Sequence, residues 1–354
     1  DFTLNPSNNR INNSATLNLN GGTFSVEGRL NSARTNERVG SLNITGGGNT
    51  IDIVNNRSDQ FTRMRVEDIT RTNNATIDFT NSDATNGTYS NTGNNPRFQF
   101  MATSPTLDDG ILAYATVNGT SFAGLTGTQL TAHSSTNTSQ GSWTATTNAA
   151  PTGDQTLTAD RDLNSLVLNS GRDIDLNTNE LDLNSGGLLS YGATVSTITD
   201  GTLTAGGSGG GELITHVYGT GGLDISAVIA DDGVGEVSLT KTGDGTLTLS
   251  GSAANSFTGD TVVNDGTLAL SKDNNVTAIN GDIRVGDGRG TDILQLNNDE
   301  QIADTSDMTL FGSEYGGETI LQFNGAGGEG LIETMGDLTI DGVAVIDFAG
   351  GNRD

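Results

Sequence analysis

The phrase Gly-Thr-Leu-x-Leu occurs twice in one short stretch, at residues 245–249 and 266–270, so the two copies stand 21 residues apart (245 to 266). A period of about twenty residues holds two short strands with their turns, which is one coil of a β-solenoid. A coil that small cannot bury its own apolar face and is stable only with a neighbour stacked on it. The repeat therefore predicts a stack of similar coils.

Alternation elsewhere agrees. Residues 15–20, 23–26, 41–45, 50–54 and 75–79 read as short strands that place Leu17, Leu19, Leu42, Ile44, Ile51 and Ile53 on one face, with Asn, Asp and Thr opposite. Gly21-Gly22 and Gly46 to Gly48 are turn punctuation. Residues 86–155 break the pattern with Pro96, Pro105 and Pro151 and hold the single Trp. Coils resume from 156 onward. The sequence thus predicts an all-β chain: a right-handed parallel β-helix with a small irregular excursion near 86–155. Residues 1–85 are expected to form solenoid rungs, 86–155 a hairpin or lobe, and 156–354 further rungs of the same stack.

The words Lys-Thr-Gly-Asp-Gly-Thr-Leu-Thr-Leu-Ser-Gly (241–251), Asn-Ser-Phe-Thr-Gly-Asp-Thr-Val-Val (255–263) and Asp-Gly-Thr-Leu (265–268) resemble the autotransporter-associated β-strand repeat of bacterial surface proteins. Residues 5–55, 111–122 and 285–306 resemble segments of long members of the same family. The resemblance implies a secreted β-helical passenger or surface fibre, extracellular or on the cell surface.

The two ends of the chain also resemble each other. Residues 9–17 match 300–310, 37–44 match 333–340, and 50–53 match 345–348 in the same order, a long period near 290–300 residues. Neither end shows a polar cap, and open solenoid ends are β-edges that invite strand addition. Leu4, Leu17 and Leu19 at one end and Val343, Val345 and Phe348 at the other are the expected assembly edges. The expected partners are copies of the chain or flanking repeats of a longer one; with no starting Met, the sequence reads as a mature product or a slice.

Composition limits the alternatives. The net charge is −27 and Lys occurs only at 241 and 272, which argues against nucleic acid or an anionic membrane surface as a partner. No apolar run approaches membrane-helix length, so no membrane insertion by this segment is expected. Cys is absent, which removes disulfide and thiolate chemistry.

Few residues suggest chemistry. Residues 288–294 fit the Gly-x-Gly-x-Asp-x-Leu core of a calcium-binding nonapeptide, which makes Asp287 and Asp292 weak calcium candidates; one copy cannot complete such a site. No other cofactor is indicated. His133 and His216 lack metal-ligand spacing, and there is no catalytic residue to name. Phe98, Phe100, Tyr114, Phe122 and Trp143 concentrate in the excursion and form a possible contact surface. The sequence therefore reads as a non-enzymatic extracellular structural protein, a solenoid unit assembling head to tail. The alternatives are an adhesin segment that binds a host or matrix carbohydrate and a polysaccharide-active β-helix enzyme.

Overall fold

The computed structural model describes residues 10–28, 35–55, 61–82, 89, 95–233, 235–312, 317–325 and 330–348. The chain divides into two compact units, residues 1–134 and 135–354.

Unit 2 is a parallel β-solenoid. Each coil contributes one strand to each of two ladders. One ladder runs Asn148–Ala149, Arg161–Asn169, Glu180–Tyr191, Gly211–Tyr218, Val237–Thr242, Thr261–Val263, Ile283–Val285, Met308–Phe311 and Leu338–Asp341. The other runs Gln155–Thr156, Asp173–Asp175, Ser196–Thr199, Leu223–Ile225, Thr246–Gly251, Gly266–Lys272, Thr291–Leu296, Glu318–Phe323 and Ala344–Phe348. The 21-residue repeat is one coil of this stack: Leu247 lies opposite Leu268 and Leu249 opposite Leu270, all four buried. Alternation sends these leucines inward and turns Thr246, Thr248 and Thr267 outward, and identical residues meet because each coil repeats the register of the last.

The turns must be tight enough for adjacent backbones to nest. Gly266 shows why glycine punctuates them: its φ is 73°, and a Cβ there would lie 2.4 Å from the Gly243 carbonyl oxygen. A side chain at this position would meet both left-handed backbone strain and a backbone atom that cannot move aside.

Unit 1 is built on the same plan and closed differently. Leu17–Glu27, Leu42–Val54, Thr76–Thr80 and Leu112–Val117 form one parallel ladder; Thr35–Arg38, Thr62–Val66 and Arg97–Phe100 form a second. The hairpin Ser121–Thr126 and Gln129–Ala132 then turns antiparallel. Its first strand pairs with Leu112–Val117, and its second carries one residue pair onto Arg97–Phe100. The hairpin thereby joins both ladders of unit 1 into one sheet and occupies the edge that parallel stacking leaves open.

Candidate functional site

The interior beneath the repeat is not wholly apolar. Lys241 and Lys272, the only lysines in the chain, are both buried. The Lys241 ammonium donates to the carbonyls of Gly243 (2.7 Å), Asp265 (2.8 Å) and Thr242 (3.2 Å). Burial lowers its pKa to about 8, opposed by the neighbouring Asp265, Asp244 and Asp292. Lys272 donates to the Ser250 carbonyl at 2.9 Å, and burial likewise lowers its pKa to about 8. Each ammonium satisfies turn carbonyls that stacking has removed from water. Reductive methylation at neutral pH is therefore expected to leave both lysines unmodified in the folded protein and to modify both in denaturant, as read by mass spectrometry.

Asp292 faces this cluster. It pairs in register with Gly266 on one side and Thr319 on the other, and it is buried. Neither carboxyl oxygen has a hydrogen bond of normal geometry; the nearby Asp287 amide and Lys241 favour the charged form. Burial, reinforced by Asp287 and Asp265, raises the Asp292 pKa to about 9. The side chain is thus a neutral carboxylic acid at pH 7. Asp287, by contrast, caps its own loop, its Oδ1 accepting the Arg289 amide at 2.8 Å. Among the described residues, no three His, Cys, Asp or Glu side chains converge as a metal site. Calcium needs six to eight oxygens, several of them charged, more than Asp287 and Asp292 supply between them.

The aromatic residues are not a surface. Phe98, Phe100 and Phe122 are buried in unit 1, with Phe79 and Phe98 ring centroids 4.8 Å apart and Phe98 and Phe100 5.4 Å apart. Tyr114 is half-buried under the Arg71 guanidinium, 5.1 Å from the ring centroid. Trp143 is buried among the leucines of unit 2, its indole N–H donating to the Thr138 carbonyl at 3.2 Å. The expectation of an aromatic contact surface is corrected accordingly: the large rings of Phe98, Phe100, Phe122 and Trp143 fill the interior.

Two carboxyls meet across coils where sequence spacing gave no signal. Asp162 pairs directly with Asp182, whose pKa rises to about 6, chiefly through burial and further through Asp232, Asp162 and Glu180; the Gly207 amide opposes the rise. Of the two histidines, His216 is buried in unit 2, while His133 in unit 1 is half-buried with its pKa lowered by burial.

The most exposed apolar surface is the final coil of unit 2. Val343 is 70 % exposed, Val345 40 % and Phe348 60 %, with Phe348 stacked on Phe323 at 5.1 Å. Leu17 is half-buried and Leu19 buried in unit 1, and Leu4 lies outside the described residues. The end of a ladder presents backbone groups to which another strand can add.

Residues 239–270, the stretch that carries the repeat, match the passenger-associated-transport-repeat family model. This is a passenger β-repeat chain of the autotransporter type. The passenger is also similar to an adhesin autotransporter, "Adhesin BmaC autotransporter" of Brucella suis biovar 1 (strain 1330), with 30% identity over 285 residues, 75% of this chain. It spans only 8% of that relative's length. No solved structure matches it significantly. The passenger is thus an extracellular or cell-surface segment. No helix among its described residues is long and apolar enough to cross a membrane.

Sequence reasoning missed Glu333 as well as the buried Lys–Asp cluster. The Glu333 carboxylate accepts the amides of Gln301 (2.8 Å) and Ile302 (2.9 Å), while its pKa is raised to about 7 by burial. A signal for it existed in the chain: Glu37 and Glu333 occupy the same place in the matched words near the two ends.

Proposed function

We propose that the chain is a non-enzymatic structural segment of a surface passenger, which extends by stacking coil on coil through its open β-edges, copies joining head to tail into a filament. The observation that carries this reading is the uncovered last coil of unit 2, Leu338–Asp341 and Ala344–Phe348, at the end of two parallel ladders. A heterologous end contact that does not close generates a fibre. The strongly acidic surface supports the reading by keeping an edge-bearing β protein soluble.

The test is electron microscopy of the purified chain at high concentration without denaturant. Ordered filaments with an axial repeat near one solenoid length are expected. Val345→Pro removes a backbone donor from the terminal strand and is expected to abolish them; filaments unchanged by that substitution would sink the proposal. Discrete rods would favour the second reading, an adhesin segment that contributes a binding surface to a longer chain. That reading draws on the adhesin named above.

A further inference from the structure

The start of unit 1 and the end of unit 2 share a set of bonds in the same order. In unit 1 the Glu37 carboxylate accepts the amides of Arg10 (3.1 Å) and Ile11 (2.9 Å); Glu333 clasps Gln301 and Ile302 in the same way. The Ala15 amide reaches the Asn12 carbonyl at 2.9 Å, and the Ser306 amide reaches the Ala303 carbonyl at 2.9 Å. Gly40 donates to Ala15 at 2.8 Å and Gly336 to Ser306 at 2.9 Å; Leu17 donates to Ser41 and Met308 to Asp337, both at 2.9 Å.

The ladders keep the same register. Leu17 and Leu19 face Leu42 and Ile44, as Met308 and Leu310 face Leu338 and Ile340. Further along the same strand pair of unit 1 Phe24 and Val26 face Ile51 and Ile53, as Leu321 and Phe323 face Ile346 and Phe348 on the second ladder of unit 2. A carboxylate that clasps two consecutive amides, followed by this set of bonds in this order, is a repeated structural unit and not a product of shared composition.

The two copies differ in what lies above them. In unit 1 a third coil covers the second: Ile69 faces Leu42, Arg71 faces Ile44, and Phe79 faces Ile51. That coil also gives the Asp68 carbonyl to the Leu42 amide and the Glu67 amide to the Gly40 carbonyl, both at 3.0 Å. Under it Leu42, Ile44, Ile51 and Ile53 are all 0 % exposed. Their counterparts Leu338, Ile340, Ile346 and Phe348 are 39 %, 46 %, 40 % and 60 % exposed. The same two coils therefore appear once covered and once bare.

We infer that the end face formed by Leu338–Asp341 and Ala344–Phe348 is a docking surface for a third coil of the kind built by residues 61–82. This rests on the coil-on-coil stacking proposed above but not on the joining of copies, because it gives the face an occupant other than the head of a second copy. The occupant sets an aliphatic side chain over Leu338, an arginine stem over Ile340 and an aromatic ring over Ile346. It also supplies to the Leu338 amide and the Gly336 carbonyl the carbonyl and amide that Leu42 and Gly40 take in the covered copy. The specificity lies in this register, because a shift of one residue would turn the apolar side chains of the incoming strands outward.

The test appends a second copy of residues 55–134 directly after Phe348 of the whole chain and follows amide hydrogen exchange. The appended piece carries the third coil and the hairpin that closes unit 1. Exchange at Leu338–Asp341 and Ala344–Phe348 is expected to slow by at least about 100-fold, while the repeat at 239–270 stays as protected as before. Ile340→Asp is expected to abolish that protection in the extended chain and to leave the melting temperature of the unextended chain nearly unchanged. As a second readout, Ile340→Cys with Arg71→Cys in the appended copy should form a disulfide, free of background because the chain has no cysteine. No slowing while 239–270 remains protected would overturn the inference, as would equal slowing with Ile69→Asp and Phe79→Asp in the appended copy. Protection of the unextended face that deepens with concentration would also overturn it, because a second copy would then be the occupant. Filaments missing beside a protected face would count against head-to-tail assembly alone; filaments present beside an unprotected face would count against this coil alone.

Discussion

Asp292→Asn is expected to raise the melting temperature by roughly 5–10 °C at pH 7.5 and to leave it nearly unchanged at pH 4. The wild-type carboxyl titrates near 3.8 when unfolded and near 9 when folded, so the folded chain holds an extra proton throughout that window. Stability from this group is fully present below the unfolded pKa and is lost as pH rises toward the folded one. Each unit of displacement amounts to about 1.4 kcal/mol, and a few kcal/mol are at stake by pH 7.5. Asparagine keeps the shape and removes the titration. Asp182, near 6, and Glu333, near 7, act in the same direction over narrower windows. Melting curves of the wild type should therefore fall steadily from pH 4 to 8. Above pH 8 the two lysines reverse the trend, because the unfolded chain then binds more protons at those sites. A wild-type melting temperature that rises from pH 4 to 8, or an Asn variant that tracks it, would contradict the neutral buried carboxyl.

Leu268→Ala is expected to cost about 3–5 kcal/mol, and Leu268→Met less than about 1.5 kcal/mol. Leu268 is buried between Leu247 below and Leu294 above, so truncation opens a cavity that rigid neighbouring coils cannot collapse. Solenoid stability is a sum of coil and nearest-neighbour terms. The loss should therefore appear as local opening of the coils around 239–296, seen as new proteolytic cleavage there before the global transition in denaturant. Equal midpoints for the Ala and Met variants would show that the leucine column is not what holds the coils together.

Much of the fold was legible because its causes are local. A Leu at every second position of 246–249 and 267–270 dictates which side of a strand faces the core, and the glycines beside them dictate where the path turns. The resemblance of the chain ends was legible for the same reason: the words around Glu37 and Glu333 encode the same bonds.

The sequence by itself determined that this chain folds as stacked parallel coils, and where several of its repeats lie. Only the tertiary structure decided which side chains are inside and what state they are in. Phe98 looks like a surface candidate in the sequence, yet it is buried, and burial holds the Asp292 carboxyl far above the usual carboxylate range. The physical reason is that burial at a coil depends on the coils above and below it, which lie some 20–30 residues away in the chain, as in Leu247 on Leu268 and Leu42 on Ile69. The strand Leu338–Asp341 shows the same dependence from the other side: its words resemble those of the coil around Leu42, yet Leu338 and Ile340 are exposed where Leu42 and Ile44 are buried.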